Sequence, residues 1–355
     1  MSGEMDLAFL KDRRILITGA GGSVGRQLAR KLFSLGCEQL VLLDRDGSHL
    51  HTLELELLGT GLLSDERFVL ADIRDREALA EVFAKYVPSV VIHAAALKHV
   101  PLLERFPAEA WKTNVLGTVH LLSLAKAFNV GTFLHISTDK AADPTTVLGK
   151  SKHLAERLVT TAGLGQGFEV AAGGWEIQKT DPHPKKEAGR TFSEGAQQTI
   201  SSHAGGVRSS SLRYVNVRFG NVVGSRGSVS ETFKFQIERG LPLTITTEEA
   251  SRFLMSLEEA CELVLLSIGK ARNGQTAVLK MGQEVPVVKL AEQVMDEMGV
   301  DVPLVFTGPR RGDKTREVLV GAAEVVVSES ERCWFIKGQP LDVGGVSFNE
   351  VLLER

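Results

Sequence analysis

A polar run, "STDKAADPTTVLGKSK" at 137–152, contains residues that can transfer protons. Asp139 and Lys140 are adjacent and follow an apolar stretch, so both stand at the predicted end of a strand, with Thr138 just before them. If the strand end turns both side chains toward one face of a substrate, they supply a general acid and a general base. The alternative is an ordinary Asp–Lys pair on the surface.

A second motif, "TGAGGSVG", has the spacing of a phosphate-binding turn. Gly19 allows a tight turn after a strand, Gly22 lets the backbone approach a pyrophosphate, and Gly25 lets the following helix pack on the strand. Ser23 and Val24 begin that helix, whose free N–H groups attract an anion. The motif predicts a bound dinucleotide, and a plain tight turn is the alternative.

Acidic and small residues follow the next predicted strands, where a dinucleotide would extend. Asp44 ends the second strand, about twenty residues after the turn, and suits the adenosine ribose hydroxyls, which favours NAD. Neighbouring Arg45 could instead hold the 2′-phosphate of NADP, so both cofactors stay open. Asp72 and Ile73 follow the third strand and are predicted to meet adenine, although they could equally begin a helix. Small residues end the fourth strand and let a cofactor lie against the backbone: Ala94, Ala95 and Ala96.

Short β-branched runs alternate with longer amphipathic stretches through the first half of the chain. Strands are predicted at 14–18, 39–44, 67–72, 89–96 and 132–138. Helices are predicted at 23–35, 48–58, 76–86 and 108–128, and a further helix carries Lys152. Apolar strands alternating with helices predict an α/β fold with a doubly wound parallel sheet covered on both faces.

Three regions are expected along the chain. Residues 1–162 form the dinucleotide-binding core. Residues 163–211 are rich in Gly, Ser and charge with weak periodicity, which predicts an irregular insertion. Residues 212–355 supply the remaining core strands and a smaller C-terminal substrate-binding lobe.

Composition bounds the kinds of partner. The net charge of -3 over 355 residues gives no basic excess, which argues against a nucleic-acid partner. Three scattered cysteines show no pairing or metal spacing, as expected in a reducing cytoplasm, and His93, His135 and His153 also lack metal spacing. No apolar run reaches the length of a membrane span, and the start lacks a cleavable segment of secretory type. We therefore expect a cytoplasmic protein with no membrane span and no metal.

Several long motifs occur in an order that resembles a known family. The chain is similar to extended short-chain dehydrogenase/reductases, specifically the polysaccharide-biosynthesis (CapD-like) dehydratases that act on UDP-N-acetylglucosamine. The resemblance implies a Rossmann-like core, tightly bound NAD or NADP, a UDP-sugar substrate and self-association. Besides the two motifs above, it rests on "ALKHVPLLERFPAEAWKTNVLGT", "VRFGNVVGSRGSV", "SRFLMSLEEA" and "GPRRGDKTREVL".

The family's reaction assigns roles to the first motif. Hydride leaves the sugar C4 for the cofactor, a base removes the C5 proton, an acid protonates the departing C6 hydroxyl, and hydride returns to C6. The resemblance implies that Asp139 is the acid, that Lys140 is the base and that Thr138 bonds the C4 oxygen. To act as a base near neutral pH, Lys140 would need a lowered pKa.

One family feature is missing from this chain. In the family, a lysine at position 152 bonds the nicotinamide ribose and lowers the pKa of a tyrosine one helical turn earlier. Here that position is Leu148, which shares a helix face with Lys152 but cannot transfer a proton. Some larger family members carry methionine there, so dehydration is still expected, with C4 deprotonation by Asp139, Lys140 or a water on Thr138. A decayed, inactive homologue is the alternative.

The resemblance also implies substrate contacts. Asn114 lies in mid-helix, where it could meet substrate or bond nearby backbone. Asn221 and Arg226 resemble the family's substrate-binding loop. Arg252 and Arg311 are similar to arginines that meet the UDP diphosphate, because their forked donors match phosphate oxygens. The full predicted set is Lys98, Asn114, Asn221, Arg226, Arg252 and Arg311.

The sequence therefore predicts a 4,6-dehydratase of UDP-N-acetylglucosamine or a close UDP-N-acetylhexosamine. The product would be a 4-keto-6-deoxy sugar nucleotide, with inversion at C5 left open. A nucleotide-sugar epimerase or reductase is one alternative. A catalytically silent homologue that binds NAD and acts through partner contacts is another.

Overall fold

The computed structural model describes residues 7–180, 213–310, 312, 314–342 and 344–353. In the described residues the strands are β1 (Ile15–Thr18), β2 (Leu40–Asp44), β3 (Phe68–Leu70), β4 (Val90–His93), β5 (Thr132–Ile136), β6 (Gly167–Val170), β7 (Glu176–Thr180), β8 (Arg213–Arg218), β9 (Asn221–Val223), β10 (Leu243–Ile245), β11 (Ser251–Ser256), β12 (Thr276–Leu279), β13 (Glu284–Pro286), β14 (Leu304–Phe306), β15 (Val326–Glu329), β16 (Cys333–Ile336) and β17 (Val346–Ser347). The α-helices are α1 (Ser23–Ser34), α2 (Gly47–Leu58), α3 (Arg76–Tyr86), α4 (Val100–Arg105), α5 (Pro107–Ala110), α6 (Gly117–Ala127), α7 (Val147–Gly163), α8 (Val229–Glu238), α9 (Leu257–Lys270) and α10 (Val287–Met298).

A nine-stranded sheet forms the centre of the molecule, in the order β15-β16-β12-β8-β5-β4-β1-β2-β3. From β3 to β12 every neighbouring pair is parallel, and β16 and β15 add antiparallel strands at one edge. Strand order reverses between β1 and β4, and ligands of such sheets bind at that crevice. The predicted doubly wound α/β fold is confirmed.

Helices cover both faces of this sheet because its central strands are apolar on both sides. One buried cluster joins the sheet to α1 and α9, which pack on each other, and a second joins it to α3, α6 and α7. Side chains cap the helices that begin near the site: Asp46 accepts from the Ser48 and His49 amides, and Thr146 accepts from the Gly149 amide. The sheet thus holds the carboxyl ends of β1, β4, β5 and β8 in fixed register.

Two regions differ from the sequence predictions. The helix predicted at 108–128 contains a π-helical segment, Trp111–Leu116, between α5 and α6. The start of the predicted irregular insertion forms an antiparallel hairpin, β6 and β7, which β17 extends. The hairpin packs because Ile177 is buried and Trp111 donates its indole N–H to the Gly174 carbonyl at 2.7 Å. Residues 181–211 of the insertion lie outside the described residues.

A smaller lobe follows β8. Its core packs α8 and α10 against the parallel pair β10 and β14. A three-stranded sheet of β9, β11 and β13 joins this lobe to the main sheet beside the end of β8. The lobe therefore borders the carboxyl edge of the main sheet, where the predicted site residues lie.

Candidate active site

The glycine turn after β1 has the close approaches that its spacing predicts. Gly19 has φ +69°, and a Cβ on it would lie 2.6 Å from the Ala95 backbone. A Cβ on Gly25 would lie 2.1 Å from the Gly19 carbonyl oxygen. Gly22 precedes the first residue of α1, so the free amides of Ser23 and Val24 open the helix beside the turn.

A further glycine, Gly21, was not singled out in the sequence, yet it binds the predicted ribose contact. Its amide donates to Asp44 Oδ2 at 2.9 Å, and the Asp46 amide donates to Oδ1 at 3.0 Å. A Cβ on Gly21 would lie 2.4 Å from His49 Cβ, so only glycine fits without displacement. These bonds fix the carboxylate of Asp44 and leave each oxygen a free lone pair.

The two residues predicted at adenine differ in their surroundings: Asp72 belongs to a cluster of charged side chains, and Ile73 is buried. Asp72 accepts from Arg74 at 2.6 Å and lies 3.8 Å from Arg45 Nη1. Burial raises the pKa of Asp72, but hydrogen bonds from Arg74 lower it to a net value below its ordinary range. Ile73 is buried, and a Cβ on Gly117 would lie 2.6 Å from its Cδ1. The Ile73 side chain thus packs into the core, and its contact with adenine stays a prediction.

Two residues predicted near the substrate form hydrogen bonds to the backbone. Asn114 accepts from the Leu97 amide at 2.9 Å and donates to the Leu97 carbonyl at 3.0 Å, so it is a structural link between the π-helical segment and the chain after β4. Arg226 donates to the Gly21 carbonyl and contacts His49 Nε2, and its own amide donates to Ser23 Oγ at 3.0 Å. Arg226 therefore lies on the glycine turn.

Lys98 follows Ala94, Ala95 and Ala96 at the end of β4. Burial and the charge of Arg226 lower the pKa of Lys98, while Glu231 opposes them. The charges of Arg226, at the glycine turn, and of Glu231, in α8, thus both act on Lys98.

Asp139 and Lys140 form a buried ion pair where β5 ends. Backbone hydrogen bonds from Ser137 to Val217 and from Asp139 to Phe219 continue the pairing of β5 with β8 past the strand ends. Lys140 Nζ lies 3.0 Å from Asp139 Oδ1, and the Thr138 hydroxyl donates to the same oxygen at 2.8 Å. Thr138, Asp139 and Lys140, which the sequence predicts as one constellation, are therefore in mutual contact.

Two more residues meet this ion pair. Lys140 Nζ lies 3.4 Å from Asn221 Oδ1, as the predicted substrate loop implies. It also lies 3.3 Å from Glu317 Oε1, a residue that the sequence analysis did not single out. Glu317 stands inside the quoted motif "GPRRGDKTREVL", so the motif was found but its role at Lys140 was not. Only the fold brings these distant parts of the chain together.

The pKa of Lys140 moves opposite to what a base near neutral pH needs. Burial lowers its pKa, but the carboxylates of Asp139 and Glu317 raise it more, so the net shift is upward. The sequence did not reveal the second carboxylate, that of Glu317. In the free protein Lys140 is an ammonium held between two carboxyl groups.

The contacts of Leu148 and Lys152 differ from those expected of a tyrosine–lysine pair. Leu148 is only 4% exposed and packs in the apolar cluster that joins α7 to the main sheet. Lys152 Nζ donates to the Ile136 carbonyl at 2.7 Å and lies 2.7 Å from His135 Nε2. Burial lowers the pKa of Lys152 to about 7, against an opposing charge on Glu156. His135 is thus a partner of Lys152 rather than simple packing.

A cleft opens beside Lys140. Arg252, Thr146, Lys314 and Glu317 are among its lining residues. Arg252 donates to the Ser251 carbonyl at 2.7 Å and the Thr315 carbonyl at 3.2 Å, which fixes its guanidinium at the cleft. Arg311 lies outside the described residues, and the described residues contain no cluster of side chains suited to a metal ion.

Comparisons with known proteins identify close relatives. A profile of the family described as "Polysaccharide biosynthesis protein" matches residues 15–169 and 188–337. Probable polysaccharide biosynthesis protein EpsC of Bacillus subtilis and capsular polysaccharide biosynthesis protein CapD of Staphylococcus aureus are each 34% identical, over 89% and 91% of this chain. The chain spans 46% and 48% of those proteins, about half their length. A UDP-glucose 4-epimerase of Rickettsia canadensis is 30% identical over 90% of this chain and 80% of that enzyme.

One relative contradicts the expectation about membranes. "Uncharacterized membrane protein MJ1061" of Methanocaldococcus jannaschii is 34% identical over 97% of this chain and 91% of its own length. The expectation that the protein has no membrane partner is therefore wrong. It was based on the length of apolar runs, which tests only for a spanning helix and not for other kinds of membrane attachment. None of the helices in the described ranges has the length and apolar character to cross a bilayer.

Solved structures share the fold over most of the chain. Pen from Bacillus thuringiensis superposes with a TM-score of 0.71 at 26% identity, covering 96% of this chain and 94% of that one. A double mutant of the dTDP-glucose 4,6-dehydratase DesIV from Streptomyces venezuelae, with NAD and DAU bound, has a TM-score of 0.65 at 20% identity, over 87% and 88% of the chains. The family profile, the relatives and the fold agree: this chain belongs to the polysaccharide biosynthesis protein family.

Proposed function

We propose that the protein is a nucleotide-sugar 4,6-dehydratase that converts UDP-N-acetylglucosamine, or a close UDP-N-acetylhexosamine, to a 4-keto-6-deoxy sugar nucleotide. The observation that carries the proposal is the buried contact of 3.0 Å between Asp139 and Lys140 at the end of β5. Elimination needs a base for the C5 proton and an acid for the departing C6 oxygen. Epimerisation at C4 has no leaving hydroxyl and needs no such acid.

The residues around the glycine turn fit NAD or NADP. The missing Cβ of Gly19 lets the backbone lie close to Ala95, and Asp44 keeps lone pairs for the ribose hydroxyls. Arg45 lies toward Asp72, which favours NAD over NADP because less of its charge is free for a 2′-phosphate. When bound, the nicotinamide supplies hydride chemistry. NAD in the DesIV structure supports this reading only through the shared fold.

The acid and base roles follow from the contacts of each group. Asp139, in its protonated form, donates to the C6 oxygen as that hydroxyl departs. Lys140, as the free amine, removes the C5 proton. Thr138 uses its hydroxyl proton on Asp139, so its lone pairs remain for the C4 hydroxyl of the sugar.

Leu148 leaves the C4 hydroxyl without the family's usual proton acceptor. Its proton passes instead to Asp139, to Lys140 or to a water held by Thr138, and we expect slow turnover for that reason. Lys152 contacts β5 through His135 and Ile136, so it supports the strand end that carries Thr138.

Cations beside the cleft suit a UDP diphosphate. Arg252 and Lys314 line the same cleft as Lys140, and guanidinium and ammonium groups bind phosphate oxygens with charge-assisted hydrogen bonds. Arg311, which also belongs to the proposed diphosphate contacts, is supported by sequence alone.

The second candidate function is a UDP-sugar 4-epimerase. It is favoured by the relative of Rickettsia canadensis that bears that name and shares 30% identity. An epimerase uses the same dinucleotide fold but leaves the C6 hydroxyl in place. Asp139 and Lys140 would then have no elimination to catalyse.

One experiment separates these functions. Purified protein is incubated with NAD and UDP-N-acetylglucosamine, and in parallel with UDP-glucose, and the product mass is followed. Loss of one water supports the dehydratase, and nuclear magnetic resonance of that product reports whether C5 is inverted. Unchanged mass with an altered C4 configuration supports the epimerase. No turnover of either sugar nucleotide contradicts both and leaves the silent homologue.

A further inference from the structure

Glu317 brings a second carboxylate to the candidate base. It lies on the chain between β14 and β15, and its Oε1 is 3.3 Å from Lys140 Nζ. The Glu317 side chain is only 4% exposed, and that of Lys140 is 20% exposed. One ammonium is therefore shared by two buried carboxyl groups, those of Asp139 and Glu317.

The segment that carries Glu317 is anchored on both sides of it. Before Glu317, Lys314 Nζ donates to the Asp143 carbonyl at 2.8 Å. After it, Glu324 forms a buried ion pair with Arg218 at 2.7 Å, and the Ala322 amide donates to the Asp143 carboxylate at 3.1 Å. Glu317 is thus held at Lys140 by the fold, unlike a mobile surface side chain that meets a lysine by chance.

Each carboxyl group beside Lys140 has one oxygen left unpartnered. Asp139 Oδ2 and Glu317 Oε2 are buried and have no hydrogen-bond partner within the part of the chain that the structure describes. An unsatisfied buried carboxylate oxygen is costly, and it can accept a proton from a neighbouring donor. The charge of Arg252 also acts on Lys140 and opposes the two carboxylates. Glu317 therefore offers a free proton acceptor on a side chain that already contacts Lys140.

We propose that Glu317 is a positioning residue that exchanges a proton with Lys140. It holds Lys140 charged in the free enzyme and takes the ammonium proton when Lys140 acts as a base. This inference rests on the proposed dehydratase function, because it assigns that proton transfer to the step before C5 is deprotonated.

The proton balance closes within the site. An N–H bond of Lys140 breaks and an O–H bond of Glu317 forms, which leaves a neutral amine and a neutral carboxyl. The C4 hydroxyl proton passes to the Asp139 carboxylate as C4 is oxidised, before the elimination. The amine then takes the C5 proton while Asp139 gives the proton from the C4 hydroxyl to the departing C6 hydroxyl, which leaves as water and returns Asp139 to its carboxylate. Lys140 later returns its proton to C5, and the Glu317 proton returns to Lys140.

The variant Glu317→Gln tests this directly, because the amide keeps the shape and the acceptor oxygen but removes the charge. Competitive acylation of Lys140 across a pH series, followed by peptide mass spectrometry, reports the pKa of Lys140 without any turnover. We expect that pKa to fall by about one unit or more in Glu317→Gln. The acid limb of kcat/KM moves to lower pH in the same direction, since a free amine then exists at lower pH, while kcat falls by about tenfold or more.

Two further variants separate charge from shape. Glu317→Asp retains a carboxylate and is expected to keep the wild-type position of the Lys140 titration. Glu104→Gln removes another carboxylate, one that accepts from the Val147 amide at 2.7 Å, and is expected to leave the Lys140 titration unchanged.

An identical Lys140 titration in wild type and Glu317→Gln would overturn the inference. Its failure is distinct from failure of the proposed function. If wild-type protein dehydrates no UDP-sugar, the dehydratase proposal falls, and the acylation series still decides whether Glu317 sets the protonation of Lys140.

Discussion

Lys140 and Lys152 are both largely buried, lie at the two ends of one polar run, and have pKa values shifted in opposite directions. Lys140 sits between the carboxyl groups of Asp139 and Glu317, which raise its pKa despite burial. Lys152 bonds a carbonyl and an imidazole, and burial outweighs the opposing charge of Glu156 and lowers the pKa of Lys152 to about 7. The partners of a buried lysine, and not burial itself, decide its charge.

That difference changes how the site is understood. Lys152, whose pKa burial lowers to about 7, would be the simpler base, yet it bonds β5 and follows the buried Leu148 by one helical turn. The lysine that faces the cleft is the charged one. The proposed mechanism therefore requires the Lys140 ammonium to lose a proton at the cleft, whereas Lys152 bonds the end of β5.

Replacing Lys140 is expected to have the largest effect on activity. Lys140→Ala removes the proposed base, so dehydration falls by roughly 10³-fold or more. Bound nicotinamide, measured by absorbance after release, stays at the wild-type content because the glycine turn is untouched. Lys85→Ala, on the exposed face of α3, is the matched control. A Lys140→Ala rate close to wild type would remove the assigned role of Lys140.

Asp139→Asn sharpens the comparison by removing one of the two carboxylates from Lys140. The amide cannot donate a carboxyl proton, so dehydration falls by about 10²-fold or more. The pKa of Lys140 also falls, so the acid limb of kcat/KM moves to lower pH. Both are measured in one pH–rate series. An unchanged acid limb would mean that Asp139 does not hold the charge of Lys140.

Lys152→Met tests the other lysine through stability. The pKa of Lys152 is about 7 in the folded protein against an ordinary 10.5, so the unfolded chain binds the extra proton between those values. Wild-type stability therefore rises with pH through that window, by a few kcal/mol at roughly 1.4 kcal/mol per pKa unit. Methionine cannot titrate, so the variant lacks this rise. Denaturant unfolding at pH 7 and pH 10 measures the difference, and parallel pH profiles for the two proteins would contradict it.

Leu148→Tyr is expected to have the smallest effect. The phenol must enter a buried apolar cluster, which costs about 1–3 kcal/mol of stability. Turnover does not rise, since Lys152 already bonds Ile136 and His135. Thermal unfolding and product formation are measured beside Leu148→Met, a swap that preserves volume. Faster turnover at unchanged stability would mean that Lys152 can turn to pair with a tyrosine.

Local pattern was enough to predict most of the fold. Apolar periodicity predicts the five strands and the main helices of the first half, because a parallel sheet buried on both faces requires such runs. The hairpin of β6 and β7 was missed, since its stability depends on β17 and on Trp111, which lie far away in the sequence.

The site was predictable where its residues are adjacent and not where the fold assembles them. Thr138, Asp139 and Lys140 are consecutive, and their contact follows from one strand end. Glu317 meets Lys140 only because the segment after β14 is anchored on Asp143 and Arg218. The positions of the Arg226 and Lys152 side chains likewise depend on partners elsewhere in the sequence, Gly21 and His135. Local spacing in the sequence does not indicate such partners.

The most direct test of the account is the reaction of wild-type protein with UDP-N-acetylglucosamine in D₂O. The account predicts a product that has lost one water and carries one solvent deuterium at C5, because Lys140 exchanges its protons with solvent before returning one. Mass spectrometry measures the loss and nuclear magnetic resonance locates the deuterium. A product that keeps its C6 hydroxyl, or a dehydrated product without deuterium at C5, would contradict it.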